Sequence, residues 1–293
     1  MTRVELTHPD RVFWPETGTR KRDLVAYYRA VAPVLLPHLS GRPLTLKRHF
    51  TVPRGPFEWV KDAPPEMPGW IPTCPQPAKS RGGALVRYPL VENEDALVWM
   101  LEYGTVDFHV WTSRCDRPER PDYVLFDLDP AGVPFARVVE AAHLVREGLA
   151  ALELETCVRT TGGEGLHVLV PIARRYTHRD ARELADVVAG ALVRASDGLV
   201  TTERSTERRP RAVFLDTKMN GHGQQIVSVY SVRPRPGAPV ATPLRWEELV
   251  DDLDPAELTM PVVVDRVASL GDVAAPLLRG KQRLDRALAA LHA

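Results

Sequence analysis

The sequence predicts an α/β (α+β) fold. Between residues 123 and 232, short runs of β-branched and aromatic residues alternate with stretches whose apolar residues recur every three to four positions. Strand–helix alternation of this kind builds a sheet covered by helices. The chain has 293 residues, 44% of them apolar and 26% charged. That is the balance of an ordinary globular protein with room for one large domain or two small lobes. No internal repeat or low-complexity segment is present, and no run approaches the roughly 20 apolar residues of a membrane helix.

In chain order, residues 20–36 predict a helix. Leu24, Tyr27, Tyr28, Val31 and Leu35 recur at helical spacing, and Pro37 is expected to stop it. Residues 42–72 are proline-rich and read as irregular, with short extended pieces such as 43–47. Residues 94–103 predict a short helix with Leu97, Met100 and Leu101 inward. A charged connection over 114–122 leads into a buried strand at 123–128. A helix at 134–152 follows, with Phe135, Val138, Val139, Ala142, Val145 and Leu149 on one face. A second strand spans 166–170 and ends at Pro171, and an amphipathic helix covers 179–195. Two more strands are read at 212–216 and 226–232. The tail from about 274 reads as helical, with Leu277, Leu284, Leu288 and Leu291 aligned.

The formal net charge is zero, which argues against a protein that binds nucleic acid electrostatically with its whole surface but leaves room for local basic patches. Charge is nonetheless segregated. Residues 200–236 carry Arg204, Arg208, Arg209, Arg211, Lys218, Arg233 and Arg235 against only Glu203, Glu207 and Asp216. Such a pattern fits either a basic groove or solvated loops. The N-terminus is polar and has no signal-peptide core. Cys74, Cys115 and Cys157 stand far apart. That spacing predicts neither a zinc motif nor a disulfide framework, so the cytoplasm is the simplest setting.

The chemistry centres on Asp127 and Asp129. Residues i and i+2 of a strand share a face, so both carboxylates project together while Phe126 and Leu128 point away. Like charges held close call for a cation between them, and Mg²⁺ and Mn²⁺ prefer carboxylate oxygens. Asp216 also ends an apolar strand and would supply a third ligand for a two-ion site. Thr160-Thr161-Gly162-Gly163-Glu164-Gly165-Leu166-His167 is a glycine-rich turn without the Lys-Ser/Thr of a P-loop. Its backbone N–H groups could cradle phosphate, helped by Thr161 and His167. Arg209 and Arg233 could neutralise a triphosphate. His109 alternates with apolar residues and fits a buried structural histidine as well as a phosphate contact.

With these residues in hand, the chain resembles the polymerase domain of bacterial ligase D, a branch of the archaeo-eukaryotic primase superfamily. The matching stretches are Leu6-Thr7-His8-Pro9-Asp10-Arg11, Leu36-Pro37-His38-Leu39-Ser40-Gly41-Arg42-Pro43 and Pro121-Asp122-Tyr123-Val124-Leu125-Phe126-Asp127-Leu128-Asp129-Pro130. They continue with Gly162-Gly163-Glu164-Gly165-Leu166-His167-Val168, residues 230–240 from Tyr230-Ser231-Val232-Arg233 onward, and Thr242-Pro243-Leu244-Arg245-Trp246. The resemblance covers nearly the whole chain. It implies one polymerase/primase-like domain over 1–293, with an N-terminal lobe at about 1–113, a catalytic core at about 121–245 and a helical tail at about 246–293. The implied fold is a central mixed sheet flanked by helices, with the N-terminal lobe packed against it.

The implied activity is template-directed primer extension and gap filling at broken DNA ends in non-homologous end joining. It uses NTPs or dNTPs, favours ribonucleotides, and works with two Mn²⁺ (or Mg²⁺) ions. By position, Asp127, Asp129 and Asp216 would be the catalytic metal ligands. His109, Thr161, Gly162, Gly163, His167, Arg209 and Arg233 would hold the triphosphate and reacting groups, and Lys47 and Trp59 the base and ribose. Arg11 and Lys21 match positions that contact the 5′-phosphate of a DNA end. Ku and a separate DNA ligase are the expected partners, no membrane is involved, and the expected location is the nucleoid-associated cytoplasm. The chain departs from the family where Thr161 replaces serine, Glu164 replaces lysine, Trp59 replaces phenylalanine, and Met219 and Gln225 replace a polar residue and threonine. Two other classes would use the same residues. A catalytically weakened DNA-end-binding module needs the basic patches alone, and the Glu164 change favours it. A metal-dependent phosphodiesterase would use the acids with water as nucleophile.

Overall fold

The computed structural model describes residues 3–53, 55–77 and 82–291. The chain forms two compact units. The first comprises Met1–Asp116, Gln225–Ala241 and Ala256–Asp272, and the second Arg117–Gln224, Thr242–Pro255 and Val273–Ala293.

A six-stranded sheet organises the second unit. In space its strands run Val200–Thr201, Val213–Asp216, Tyr123–Asp129, Leu166–Pro171, Cys157–Thr160 and Pro243–Leu244. The first pair is parallel and the remaining pairs antiparallel. The helices Phe135–Ala150 and His178–Ala195 pack on this sheet. The second helix is started by a capping box. Thr177 Oγ1 accepts the Asp180 N–H, and the Asp180 carboxylate accepts the Thr177 N–H at 2.7 Å. The central strand 123–129 alternates as the sequence requires. Val124, Phe126 and Leu128 are fully buried on one face, and Asp127 and Asp129 occupy the other.

Strand Val213–Asp216 pairs only with the last three residues of the central strand. Upstream, Asn220 takes its place. Its amide accepts the Leu125 N–H at 2.8 Å and donates to the Leu125 and Thr217 carbonyls at 2.7 and 2.9 Å. A buried side chain thus completes the ladder that aims Asp127. Asn220→Ala would leave both Leu125 backbone groups buried without partners, and a loss of about 3 kcal/mol is expected. Urea denaturation of the variant measures it.

The first unit is built on a four-stranded antiparallel sheet in the order Gln225–Val227, Thr105–Trp111, Leu44–His49, Phe57–Val60. The helices Lys21–Leu39, Glu94–Glu102 and Met260–Leu270 belong to it. Tyr28 is fully buried and ties the segment after residue 227 to this sheet. Its hydroxyl donates to the Val106 carbonyl at 2.6 Å and accepts the Val232 N–H at 2.9 Å. Trp14 Nε1 donates to the Arg235 carbonyl at 2.7 Å. These two anchors position Arg233.

Several local expectations change. The first helix runs through Pro37 to Leu39. The proline forfeits one backbone bond, but His38 and Leu39 beyond it are buried and His38 is held by Asp272 at 3.0 Å. The region read as irregular over 42–72 contains two strands of the first sheet. The stretch 226–232 is a strand only to Val227 and belongs to the first unit. Tyr230 takes a left-handed φ of 61°, which breaks extended pairing. Among the described residues of the tail only Pro276–Arg279 and Asp285–Leu291 are helical, and the side chain of Leu291 lies outside the described ones. Cys74 and Cys115 form a disulfide with a Cα–Cα distance of 5.9 Å, packed with Val86, Tyr88, Leu90 and Trp111. The sequence reading missed it because folding brings together positions 41 residues apart.

Candidate active site

The second unit gathers the predicted acids on one sheet face. Asp127 lies directly opposite Asp216 in the antiparallel register, and Asp129 lies opposite Phe214. Direct cross-strand partners share a face, so three carboxylates project together at the strand ends. The Asp127 side chain is 19% exposed and that of Asp216 20%.

Each acid has distinct company. Asp127 Oδ1 is buried and receives no well-aligned hydrogen bond from the described residues, while His167 Nε2 lies 3.1 Å from it. Asp216 Oδ1 accepts from Arg204 Nη2 at 2.9 Å and from the Lys218 N–H at 2.7 Å. As they stand, no three His, Cys, Asp or Glu side chains among the described residues are close enough to hold an ion together. The donor set still fits one. The oxygens are hard carboxylate ligands, and the orphaned Asp127 oxygen is an unmet acceptor that a cation would satisfy.

The glycine-rich turn sits against these acids. The Thr161 N–H donates to the Gly165 carbonyl at 3.0 Å, and the Thr161 hydroxyl bonds to both backbone groups of Gly165. Gly162 has a φ of +66°, the left-handed region glycine tolerates. A Cβ on Gly165 would stand 2.6 Å from the Leu128 carbonyl oxygen and 3.4 Å from Asp129 Oδ1. Glycine there is therefore what lets the turn approach the acid-bearing strand end. Arg209 lies over the Phe214 ring at 3.8 Å, and its guanidinium donates to the Glu203 and Arg204 carbonyls. Phe214 shares the face of Asp216, so Arg209 belongs to this site. His167 is buried beside Asp127, with Nδ1 2.7 Å from Arg159 Nη2.

The remaining predicted residues form a separate cluster in the first unit, around Asp107. This carboxylate is fully buried. It meets His49 Nε2 at 3.2 Å, His109 Nε2 at 2.9 Å, Lys47 Nζ at 3.7 Å and Arg233 Nε at 3.6 Å. Lys47 lies opposite Trp59 across the strand pair. Its Nζ stands 4.4 Å from the Phe57 ring centre and 5.6 Å from that of Trp59. The Trp59 and His109 rings meet nearly at right angles with centres 5.0 Å apart, yet Trp59 remains half exposed. The cluster therefore presents an open aromatic face beside a stack of cations, the combination that takes a base and its phosphates.

Electrostatics explain why this cluster holds. Burial pushes the Asp107 carboxyl upward. Hydrogen bonds from His109 and His49 and the nearby positive charges outweigh that, and hold it well below the usual carboxylate range. Burial lowers His109 below its ordinary value, with Asp107 opposing and Arg233 and Lys47 assisting. Burial likewise lowers Lys47. His109 is therefore a neutral donor near pH 7, and Asp107 is an ion that keeps Lys47 and Arg233 in place.

Arg11 and Lys21 line a third, smaller feature, a cavity of about 160 Å³ shared with Thr7, His8, Phe13 and His49. Lys21 is paired with Glu102 at 2.7 Å and donates to the Thr7 carbonyl. Arg11 donates to the Phe50 carbonyl at 2.9 Å.

Sequence reasoning missed Asp107, His49, Phe57, Arg159 and Arg204. Asp107 was legible, because the alternation Asp107-Phe108-His109 places it on the face of His109. The others carry no local signal.

Comparison with known proteins supplies the family. The LigD primase-polymerase domain matches residues 20–274. The multifunctional non-homologous end joining protein LigD of Mycolicibacterium smegmatis is 35% identical over 281 residues, covering 94% of this chain and 36% of that protein. The protein of the same name from Pseudomonas aeruginosa is 32% identical over 250 residues, covering 84% of this chain and 29% of its own length. The chain thus spans about a third of the length of these relatives. Among solved structures, the polymerase domain from Mycobacterium tuberculosis ligase D in complex with DNA superposes with a TM-score of 0.87 at 32% identity, covering 96% of this chain and all of that one. The three acids at the strand ends, the glycine turn against them and the extent of these matches converge: the chain belongs to the LigD primase-polymerase domain family of metal-dependent nucleotidyltransferases.

Proposed function

We propose that this chain extends primer 3′ ends and fills gaps at DNA double-strand breaks, drawing on NTPs or dNTPs. The observation that carries this reading is the pairing of Asp127 with Asp216 across adjacent strands, with Asp129 beside them. Two Mn²⁺ or Mg²⁺ ions held by these carboxylates would activate the primer hydroxyl and stabilise the departing pyrophosphate. The protein's own work is positioning and charge balance. In the second unit, Arg209 and the backbone of Gly162 and Gly163 offer donors to phosphate oxygens, with Thr161 and His167 beside them. In the first, the open Trp59 face stacks a base, Lys47 and Arg233 neutralise phosphate charge, and His109, whose ring proton is taken by Asp107, lies beside them. Arg11 receives the 5′-phosphate across a gap, with Lys21 beside it. On this reading the two units serve as one polymerase domain. Ku delivers the DNA ends and a separate ligase seals them. No helix among the described residues is long and apolar enough to cross a membrane.

The test is a gapped duplex incubated with Mn²⁺ and labelled nucleotides. Lengthening of the primer supports the proposal. Shortening would assign a phosphodiesterase, and binding without reaction an end-binding module. The same assay reads the 5′-phosphate site. Lys21 is already neutralised by Glu102, so Arg11 carries the cavity's charge, and a charge-assisted hydrogen bond is worth about 2 kcal/mol. Arg11→Ala is expected to reduce the preference for a 5′-phosphorylated over a 5′-hydroxyl gap by at least about tenfold. An unchanged preference removes Arg11 from that role.

A further inference from the structure

We propose that Arg159 is a positioning residue that holds His167 in one tautomer and ring orientation, and through it sets Asp127. The sheet places four residues in a transverse row. Arg159 is the direct partner of His167, His167 of Asp127, and Asp127 of Asp216. Direct partners share a face, so the row is continuous from cation to imidazole to the paired carboxylates. Arg159 is 2% exposed.

Its Nη2 lies 2.7 Å from His167 Nδ1. A guanidinium has only donors, so Nδ1 must supply the lone pair and the ring proton sits on Nε2. Nε2 is the atom 3.1 Å from the buried Asp127 Oδ1. A proton on Nε2 attracts the carboxylate at that distance, although the two are not aligned as a hydrogen bond. The opposite tautomer would set a lone pair against it and drive the two apart. Neighbours that orient a metal ligand in this way commonly contribute ten- to a hundredfold to metal affinity. The effect on ion binding rests on the proposed role of Asp127. The tautomer itself does not.

The experiment has two independent readouts on the intact chain. The first is ¹⁵N NMR of the His167 ring without added metal. Wild type is expected to show one ring species, protonated on Nε2. Arg159→Met, which keeps the volume and removes the donors, is expected to lose that single signature, and Arg159→Lys, which keeps a donor, to restore it. The second is titration with Mn²⁺ alone. Arg159→Met is expected to weaken binding by about tenfold, and to add less than about twofold in a His167→Gln background, where no tautomer is left to set. A wild-type ring protonated on Nδ1 overturns the proposal, and that measurement stands even if Arg159→Met fails to fold. An equal loss of Mn²⁺ affinity with and without His167 also overturns it, because Arg159 would then act by packing. Unchanged Mn²⁺ binding in Asp127→Ala would instead refute the metal reading, leaving the ring signals to decide on Arg159.

Discussion

Asp127→Ala abolishes Mn²⁺-dependent primer extension and leaves the fold intact. That is the expected result, and the structure gives both halves. The side chain projects from a strand end on the face opposite Phe126 and Leu128, so its loss opens no core cavity. The backbone at Asp127 is held from both sides by pairing with His167 and Asp216, which needs no side chain. Function is another matter. The alanine variant removes the carboxylate whose buried oxygen has no well-aligned hydrogen bond from the described residues and leaves Asp216 alone opposite it. A loss of at least about 10³-fold is expected, the scale of removing one preorganised charge-stabilising group. Asp129→Ala, at an exposed position, is expected to lose activity similarly with even less effect on stability. Circular dichroism and thermal melting check the fold, and extension of a labelled primer checks the chemistry. Activity within tenfold of wild type in either variant would sink the two-ion assignment.

The second large effect lies in the first unit. Asp107→Asn is expected to destabilise the protein by about 3–5 kcal/mol, the usual result of removing one member of a buried charge cluster. It keeps the shape but leaves Lys47 and Arg233 without their shared anion. Nucleotide affinity should fall with stability, since the same carboxylate gathers the cations beside Trp59. The pH dependence has a definite sign. A carboxyl held low in the folded state contributes stability above its ordinary value, and that stability is lost as pH falls below about 4. His109 acts in a higher window. Its folded value is lowered, so the unfolded chain binds the proton first, and stability declines as pH falls below about 6.5. Wild type should therefore lose stability in two stages on acidification, and Asp107→Asn should lack the lower one. Urea midpoints measured between pH 7 and 3 resolve the stages. A variant as stable as wild type across that range would show that Asp107 does not organise the cluster.

The two sites differ in how far they could be read in advance. Asp127 and Asp129 were legible because strand periodicity is local, and two acids two residues apart on an apolar strand must share a face. Asp216 was legible as the end of another apolar strand, and the glycine turn as a turn. Lys47, Trp59, Arg11 and Lys21 had no local signal and came only through resemblance to a family. The α/β architecture, its central strands and the helices flanking them followed from apolar periodicity, which records what each element must bury.

Pairing and partnership came from tertiary structure. Nothing in the local pattern says that Asp127 faces Asp216, that Asn220 stands in for a strand beside Leu125, or that 225–227 leaves the central sheet for another unit. Nor does it join Cys74 to Cys115, set Asp107 among four basic groups, or line Arg159 up behind His167. Such contacts link residues far apart in the chain, and their energies depend on burial and register that exist only once the sheets have formed. By itself the sequence determined the acid-bearing central strands, the helices flanking them and the face on which each acid projects. Only the folded structure decided which groups neutralise, orient or occupy them, because electrostatic interactions act through space and are strongest where water has been excluded.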